Sequence, residues 1–150
     1  MNKIMFVCHG NICRSPMAEF LLKDLASKKG QASAFLIKSS ATSSEEFGNP
    51  VYPPVRRILN SLNIDCSGKY ANTLKPSDYD EYDLFVCMDD ANVRNAKRIL
   101  SGDPLGKVVK LLSFTGSTAD VSDPYWTGDF ESVYNDINSG VNALYEYLKK

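Results

Sequence analysis

A short apolar run at residues 4–7 leads directly into the polar loop CHGNICRSP at residues 8–16. Four apolar residues that end at a turn predict a buried strand. After the loop, apolar side chains recur at the spacing of one helix face, at Ala18, Leu21, Leu22 and Leu25. We predict that Ser15 caps this helix and that Pro16 is its first residue. A chain that begins with a strand, a tight loop and a helix favours a sheet whose strands are joined by helices.

The same alternation continues along the chain. Strands are predicted over residues 34–38, 84–88 and 108–112, with a further short strand near Asp65 and Cys66. Helices are predicted over residues 53–62, from a cap at Asp89 or Asp90 to Leu100, and over 130–148, with polar loops over 39–48 and 113–129. The predicted class is therefore α/β, doubly wound, with a mainly parallel four-stranded sheet and helices on both faces. Ligands of such sheets lie beyond the carboxyl ends of the strands, where the loop over residues 8–16 begins.

Composition limits the classes of partner. The 150 residues predict a single domain over residues 1–150, and a net charge of −1 gives no reason to expect nucleic acid or a membrane as a partner. The apolar run at residues 4–7 is too short for a signal peptide or a membrane span, so we expect a cytoplasmic protein. The four cysteines, at 8, 13, 66 and 87, are then expected to be thiols.

The loop over residues 8–16 has the groups that an anion site needs. Cys8 lies before a predicted helix N-terminus, where unpaired N–H groups and the helix dipole favour the nucleophilic thiolate. Gly10 lets backbone amides turn inward, and the guanidinium of Arg14 matches two phosphate oxygens. The Ser15 hydroxyl is close enough in sequence to hydrogen-bond the sulfur, and Asn11 tolerates a left-handed conformation that can tie the loop to a neighbour.

Together, these residues predict a phosphate-binding loop. The segment that would hold the phosphate consists of His9, Gly10, Asn11, Ile12, Cys13, Arg14 and Ser15. His9, the only histidine, is expected at the rim, either solvated or with a part in substrate choice. No metal is expected, because Cys8, His9 and Cys13 fit no standard zinc spacing.

Three motifs resemble low-molecular-weight protein tyrosine phosphatases. Residues 8–19 (CHGNICRSPMAE) resemble their phosphate loop, residues 123–126 (DPYW) their general-acid loop, and residues 82–89 (YDLFVCMD) the strand between. The resemblance covers essentially the full chain and implies a phosphotyrosine phosphatase I-like fold without cofactor or metal. It also implies Cys8 as nucleophile, Arg14 as phosphate ligand and Asp123 as general acid. On the residues alone, Asp120, Asp129 and Glu131 remain alternatives for the acid.

The resemblance extends to supporting residues. It implies that Ser39 holds Asn11 and that Cys13 forms a reversible disulfide with the nucleophile. Tyr125 and Trp126, beside the acid, can form an aromatic pocket wall. Ile12 is bulky, which favours phosphotyrosine over phosphoarginine.

Three positions depart from the family pattern, and the first is His9, where many members carry an apolar residue. Gly68 lies where many members carry a histidine that supports the loop, so that support is missing or replaced. Glu45 lies where animal members carry an aromatic residue of the pocket wall, and its carboxylate is expected to repel acidic peptides.

Two other functions share these features. An arsenate reductase of the same fold needs a second cysteine after Cys87, and residues 88–100 contain none. A non-catalytic phosphate-binding domain would lack a nucleophile, an arginine or an acid, and all three are present. The preferred substrate is therefore a phosphotyrosine-containing protein or a small aryl phosphate, and the expected state is a monomer or weak homo-oligomer.

Overall fold

A parallel sheet of four strands forms the centre of the computed structural model, which describes residues 1–149. In spatial order the strands are β2, β1, β3 and β4, with every pairing parallel. The strands are β1 (Asn2–Cys8), β2 (Phe35–Ala41), β3 (Leu84–Cys87) and β4 (Val108–Lys110). The predicted α/β class with a four-stranded parallel sheet is confirmed.

Helices cover both faces of this sheet. They are α1 (Arg14–Lys28), α2 (Pro53–Ser61), α3 (Asp78–Glu81), α4 (Asp90–Ile99), α5 (Pro124–Thr127) and α6 (Phe130–Leu148), with 3₁₀ turns at Ala32–Ala34 and Leu111–Thr115. Successive residues of β1 enter two separate apolar clusters, Ile4 and Phe6 in one and Met5 and Val7 in the other. The uninterrupted apolar run at residues 4–7 is explained by this burial on both faces. No helix in the described part of the chain is long and apolar enough to cross a membrane.

The start of α1 differs from the prediction. The helix begins at Arg14, with Cys13 at the cap position, so Ser15 is not its cap and Pro16 is its third residue. The Ser15 hydroxyl contacts Cys8 and Asn11 instead. The cap predicted at the start of α4 is confirmed, because the Asp89 carboxylate accepts from the Asn92 N–H at 2.7 Å.

Several strand boundaries were also wrong. Residues 65–66 lie outside the sheet, because the Asp65 carboxylate accepts from the Ser67 N–H at 2.9 Å and closes a local turn. Strand β2 begins one residue later than predicted and runs to Ala41, so Ser39 lies within the strand. Strand β4 ends at Lys110, and the 3₁₀ turn follows.

Two short helices were missed, α3 and α5. Helix α5 lies inside the segment predicted as a loop over residues 113–129. Asp123 caps it, and Pro124 occupies its first turn. Asp123 is therefore held at the start of a short helix rather than in a free loop.

Candidate active site

The Cys8 sulfur lies at the carboxyl end of the central strand β1, with 3% of the residue exposed. The Ser15 hydroxyl is 3.0 Å from the sulfur, and the Asn11 N–H donates to it at 3.3 Å. Hydrogen bonds to sulfur favour its charged form, so this surrounding suits a thiolate nucleophile.

Hydrogen bonds from a neighbouring segment fix the backbone conformation of the loop after Cys8. Three of its carbonyl groups accept hydrogen bonds from the segment after β2, at distances of 2.9–3.0 Å: Cys8 from Thr42, His9 from Ser43, and Ile12 from Tyr52. Asn11 has φ of 59°, a left-handed conformation that asparagine tolerates. Outward carbonyls are what an anion nest requires, because the amides can then face its centre.

Arg14 links the loop to two other elements. Its side chain is 3% exposed, and Nη1 donates to the Asp89 carboxylate at 2.8 Å and to the Val121 carbonyl at 2.9 Å. Nη2 is 3.6 Å from the Asp123 carboxylate. Burial opposes the charge of Arg14, but Cys8 and the hydrogen bond to Asp89 outweigh it and raise the pKa of Arg14. Arg14 is therefore a fixed cation beside the sulfur.

These groups share one cavity of about 610 Å³. Its lining includes these predicted site residues: Cys8, His9, Gly10, Asn11, Ile12, Cys13, Arg14, Glu45, Asp123, Tyr125 and Trp126. Ser15 and Ser39 lie behind the lining and contact its residues instead. Sequence reasoning missed Glu46 and Asp89, although Asp89 follows β3 and the rule for carboxyl ends of strands pointed to it.

The four candidate acids differ in their surroundings. Asp120 is bound by the Lys110 ammonium at 2.9 Å and accepts from the Asp90 N–H. Asp129 caps α6 through the Ser132 N–H. Asp123 lines the cavity, whereas Asp120, Asp129 and Glu131 do not. The Asp123 side chain is 29% exposed, so it can reach both solvent and a bound phosphate ester.

The rim of the cavity is acidic and aromatic. His9 Nε2 lies 3.3 Å from the Glu45 carboxylate, and both side chains are exposed. Trp126 is 81% exposed and meets the Tyr125 ring edge-on, with 5.3 Å between ring centres. The rim therefore offers flat apolar surface beside negative charge.

A buried polar network lies behind the loop. The Asn11 side-chain amide donates to Ser15 at 2.7 Å and to Ser39 at 2.9 Å. Ser39 donates to the Glu19 carboxylate at 2.5 Å, and the Lys69 ammonium lies 3.7 Å from that carboxylate. Sequence reasoning had named Ser39 here, but not Glu19 or Lys69.

The other cysteines have different surroundings from Cys8. Burial, followed by the charges of Cys8 and Asp123, raises the pKa of the Cys13 thiol to about 12. Burial also raises the pKa of Cys66 and of Cys87. Cys13 is therefore a neutral thiol at physiological pH, in the same loop as the nucleophile.

A parallel sheet with a cysteine–arginine anion loop after its central strand places the chain among α/β proteins built to hold a phosphate group. The sequence model described as low molecular weight phosphotyrosine protein phosphatase matches residues 3–150. The chain belongs to this family.

Bacterial relatives match this chain over nearly their full length. The chain is 34% identical over 152 residues to the low molecular weight protein-tyrosine-phosphatase YfkJ of Bacillus subtilis, covering 100% of this chain and 97% of YfkJ. It is 36% identical over 151 residues to PtpA of Staphylococcus aureus, covering 100% of this chain and 96% of PtpA. The crystal structure of YfkJ superposes with a TM-score of 0.95, covering 99% of this chain and 95% of that one.

Proposed function

We propose that this protein hydrolyses phosphotyrosine and small aryl phosphates through a cysteinyl-phosphate intermediate, with Cys8 as nucleophile. The observation that carries the assignment is the Cys8 sulfur in the cavity, hydrogen-bonded by Ser15 and Asn11 and accompanied by the buried Arg14. The relatives named above are protein tyrosine phosphatases, and the site has the residue types that this chemistry needs.

In the first step, the Cys8 thiolate attacks phosphorus in line with the leaving group. The S–P bond forms while the P–O bond to the aryl group breaks. Arg14 and the loop amides bind the three remaining oxygens, most strongly when charge develops on them in the transition state. The protonated carboxyl group of Asp123 donates its proton to the departing phenolate.

In the second step, the Asp123 carboxylate takes a proton from water as the water oxygen attacks phosphorus. The O–P bond forms, the S–P bond breaks, and Cys8 leaves as a thiolate. The products are a phenol and inorganic phosphate, and the enzyme returns to its starting state. Arg14 and the loop amides supply the positive potential at the phosphate, so this mechanism uses no metal or cofactor.

The rim sets the preferred substrate. Tyr125 and Trp126 can stack on the aryl ring of phosphotyrosine, and Ile12 lines the same cavity. Glu45 and Glu46 add negative charge to the cavity, which disfavours acidic residues next to the phosphotyrosine.

We also propose that the protein acts in the cytoplasm, as a monomer or weak homo-oligomer. All four cysteines are free thiols, and a reducing compartment maintains the thiol that the nucleophile needs.

Substrate preference is tested with one peptide sequence carrying phosphotyrosine, phosphoserine or phosphoarginine. We expect kcat/KM for phosphotyrosine to exceed the other two by up to about 100-fold, because only the flat aryl ester can pair with the two rings of the rim, at about 0.5–1.5 kcal/mol each. Phosphate release is measured for each peptide. Equal or faster release from phosphoarginine would contradict the preference, and no release from any peptide would contradict the proposed function.

We expect hydrogen peroxide to inactivate the protein reversibly. Peroxide oxidises the Cys8 thiolate to a sulfenic acid, and the Cys13 thiol condenses with it to a disulfide and water. A dithiol reductant then restores Cys8. In Cys13→Ser the sulfenic acid is oxidised further, so activity after reductant should fall from nearly complete recovery to below about one tenth.

Recovered activity and the mass of the Cys8 peptide are measured together. The matched control is Cys66→Ser, which removes a buried thiol that does not line the cavity and should recover like the wild type. If Cys13→Ser also recovers like the wild type, Cys13 has no protective role.

A further inference from the structure

Lys69 is a partly buried cation behind the phosphate loop, on the far side from the cavity. Its side chain is 13% exposed, and the ammonium group donates to the Ser39 carbonyl at 2.9 Å and lies 3.7 Å from the Glu19 carboxylate. Gly68, where family members often carry a supporting histidine, has φ of 85°, and no side chain at that position reaches the loop. The next residue, Lys69, provides the cation at this place.

The hydrogen bonds between Lys69 and Cys8 can run in only one direction. The Ser39 hydroxyl donates its single proton to the Glu19 carboxylate, which accepts it. Ser39 Oγ then only accepts, and its remaining partner is the Asn11 amide.

The direction continues to the sulfur. The Asn11 amide oxygen accepts from the Asn72 N–H at 3.0 Å, which fixes the amide NH₂ toward Ser39 and Ser15. Ser15 Oγ accepts from that NH₂, and its one proton is left for Cys8 at 3.0 Å. A hydroxyl that donates to the sulfur favours the thiolate over the thiol.

The direction depends on the place of the Glu19 carboxylate. This side chain is 4% exposed, and its carboxylate pairs with the Lys23 and Lys69 ammonium groups. If the carboxylate moved away from Ser39, the Ser39 hydroxyl would be free to turn and donate elsewhere, and the proton order along the network would be lost.

We infer that Lys69 is a positioning residue for catalysis: it joins the Ser39 carbonyl to the Glu19 carboxylate and so keeps the Ser39–Asn11–Ser15 hydrogen bonds directed toward the Cys8 sulfur. The inference rests on the proposed role of Cys8 as nucleophile. Two cations, Lys23 and Lys69, contact Glu19, but of the two only Lys69 also contacts Ser39. Lys23 is 40% exposed, lies on the outer carboxylate oxygen at 2.6 Å, and makes no contact with Ser39.

The charged groups around Lys69 are Glu19 and Lys23 of α1 and the Cys8 sulfur. Burial lowers the pKa of Lys69, Glu19 raises it, Lys23 lowers it, and Cys8 raises it. The other ionisable groups that act on Cys8 or share its cavity stay unchanged in a Lys69 variant: Arg14, Cys13, Cys87, Asp89, Asp123, His9, Glu45 and Glu46.

The test compares Lys69→Met with Lys23→Met on p-nitrophenyl phosphate as a function of pH. We expect Lys69→Met to lower kcat by about 10- to 100-fold, because the nucleophile is no longer held in its reactive state, with KM changed less than about threefold. The acidic limb of its kcat/KM profile should move to higher pH. Lys23→Met should stay within about twofold of the wild type, and Lys69→Arg should recover part of kcat.

A double variant keeps the inference testable if Lys69→Met folds poorly. Lys69→Met with Glu19→Gln removes both buried charges, which preserves the fold better than leaving one unpaired. We expect kcat of the double variant to equal that of Glu19→Gln alone, because Lys69 acts through Glu19. Thermal unfolding of each variant is measured alongside.

Two results would overturn the inference: equal kcat losses in Lys69→Met and Lys23→Met, or a lowered melting temperature of Lys69→Met with an unchanged kcat and pH profile. Failure of the proposed function is separate, because the wild type would then show no turnover that depends on Cys8.

Discussion

Replacing Cys8 by serine should lower kcat for p-nitrophenyl phosphate by at least about 10⁴-fold, to the level of the assay blank. The serine hydroxyl is not ionised at neutral pH, so it cannot attack phosphorus as the thiolate does. Binding of inorganic phosphate should persist, because Arg14 and the loop amides remain in place. Turnover is followed by nitrophenol release and binding by titration calorimetry with inorganic phosphate.

The matched control is Cys66→Ser, the same exchange at a cysteine that is 2% exposed and does not line the cavity. Its kcat should remain within about twofold of the wild type, since the chemistry takes place elsewhere. Retained turnover in Cys8→Ser would contradict the cysteinyl-phosphate mechanism. Loss of both turnover and phosphate binding would instead indicate that the loop had collapsed.

Removing the Asp123 carboxyl group should have an effect that depends on the leaving group. In Asp123→Ala, kcat for phenyl phosphate should fall by about 10²- to 10³-fold, because phenolate leaves slowly without a proton. Nitrophenolate is a weak base and needs little protonation, so p-nitrophenyl phosphate should lose only about 10-fold. A series of aryl phosphates measured with both proteins gives the dependence of kcat on leaving-group basicity.

The control for this series is Asp120→Ala, which removes a carboxylate three residues away that is bound to Lys110 and does not line the cavity. We expect it to show no leaving-group dependence beyond that of the wild type. Equal losses for all esters in Asp123→Ala would assign the proton donor to another group.

Local patterns accounted for much of the fold and for the core of the site. The apolar run at residues 4–7 predicted β1 because a central parallel strand is buried on both faces, and the loop that follows had to lie at a carboxyl end. The helix start at Ser15 was wrong because that hydroxyl is used by Cys8 and Asn11 rather than by the helix N-terminus. A serine just before a helical run is the sequence signal of a helix cap, and a serine that binds a site residue leaves the same signal.

Contacts between distant segments could not be predicted in the same way. Asp89 was assigned only as a helix cap, because its contact with Arg14 depends on β3 lying beside β1 in the sheet. Lys69 was not predicted as a site residue, because the family resemblance places the supporting side chain at position 68. No local pattern indicates that the Lys69 ammonium contacts the Ser39 carbonyl. The short strand predicted near Asp65 does not form, because the Asp65 carboxylate accepts from the Ser67 N–H and closes a local turn.

The two hydrogen bonds of the Arg14 guanidinium close loops of 75 and 107 residues along the chain. Contacts of such separation form late, because the entropy of closing a long loop must be overcome before they stabilise anything. A refolding chain can therefore regain its helical circular dichroism before it regains any capacity to bind phosphate. Recovered turnover therefore marks the end of folding. A fragment that stops before Val121 lacks the carbonyl that accepts the second hydrogen bond of Arg14.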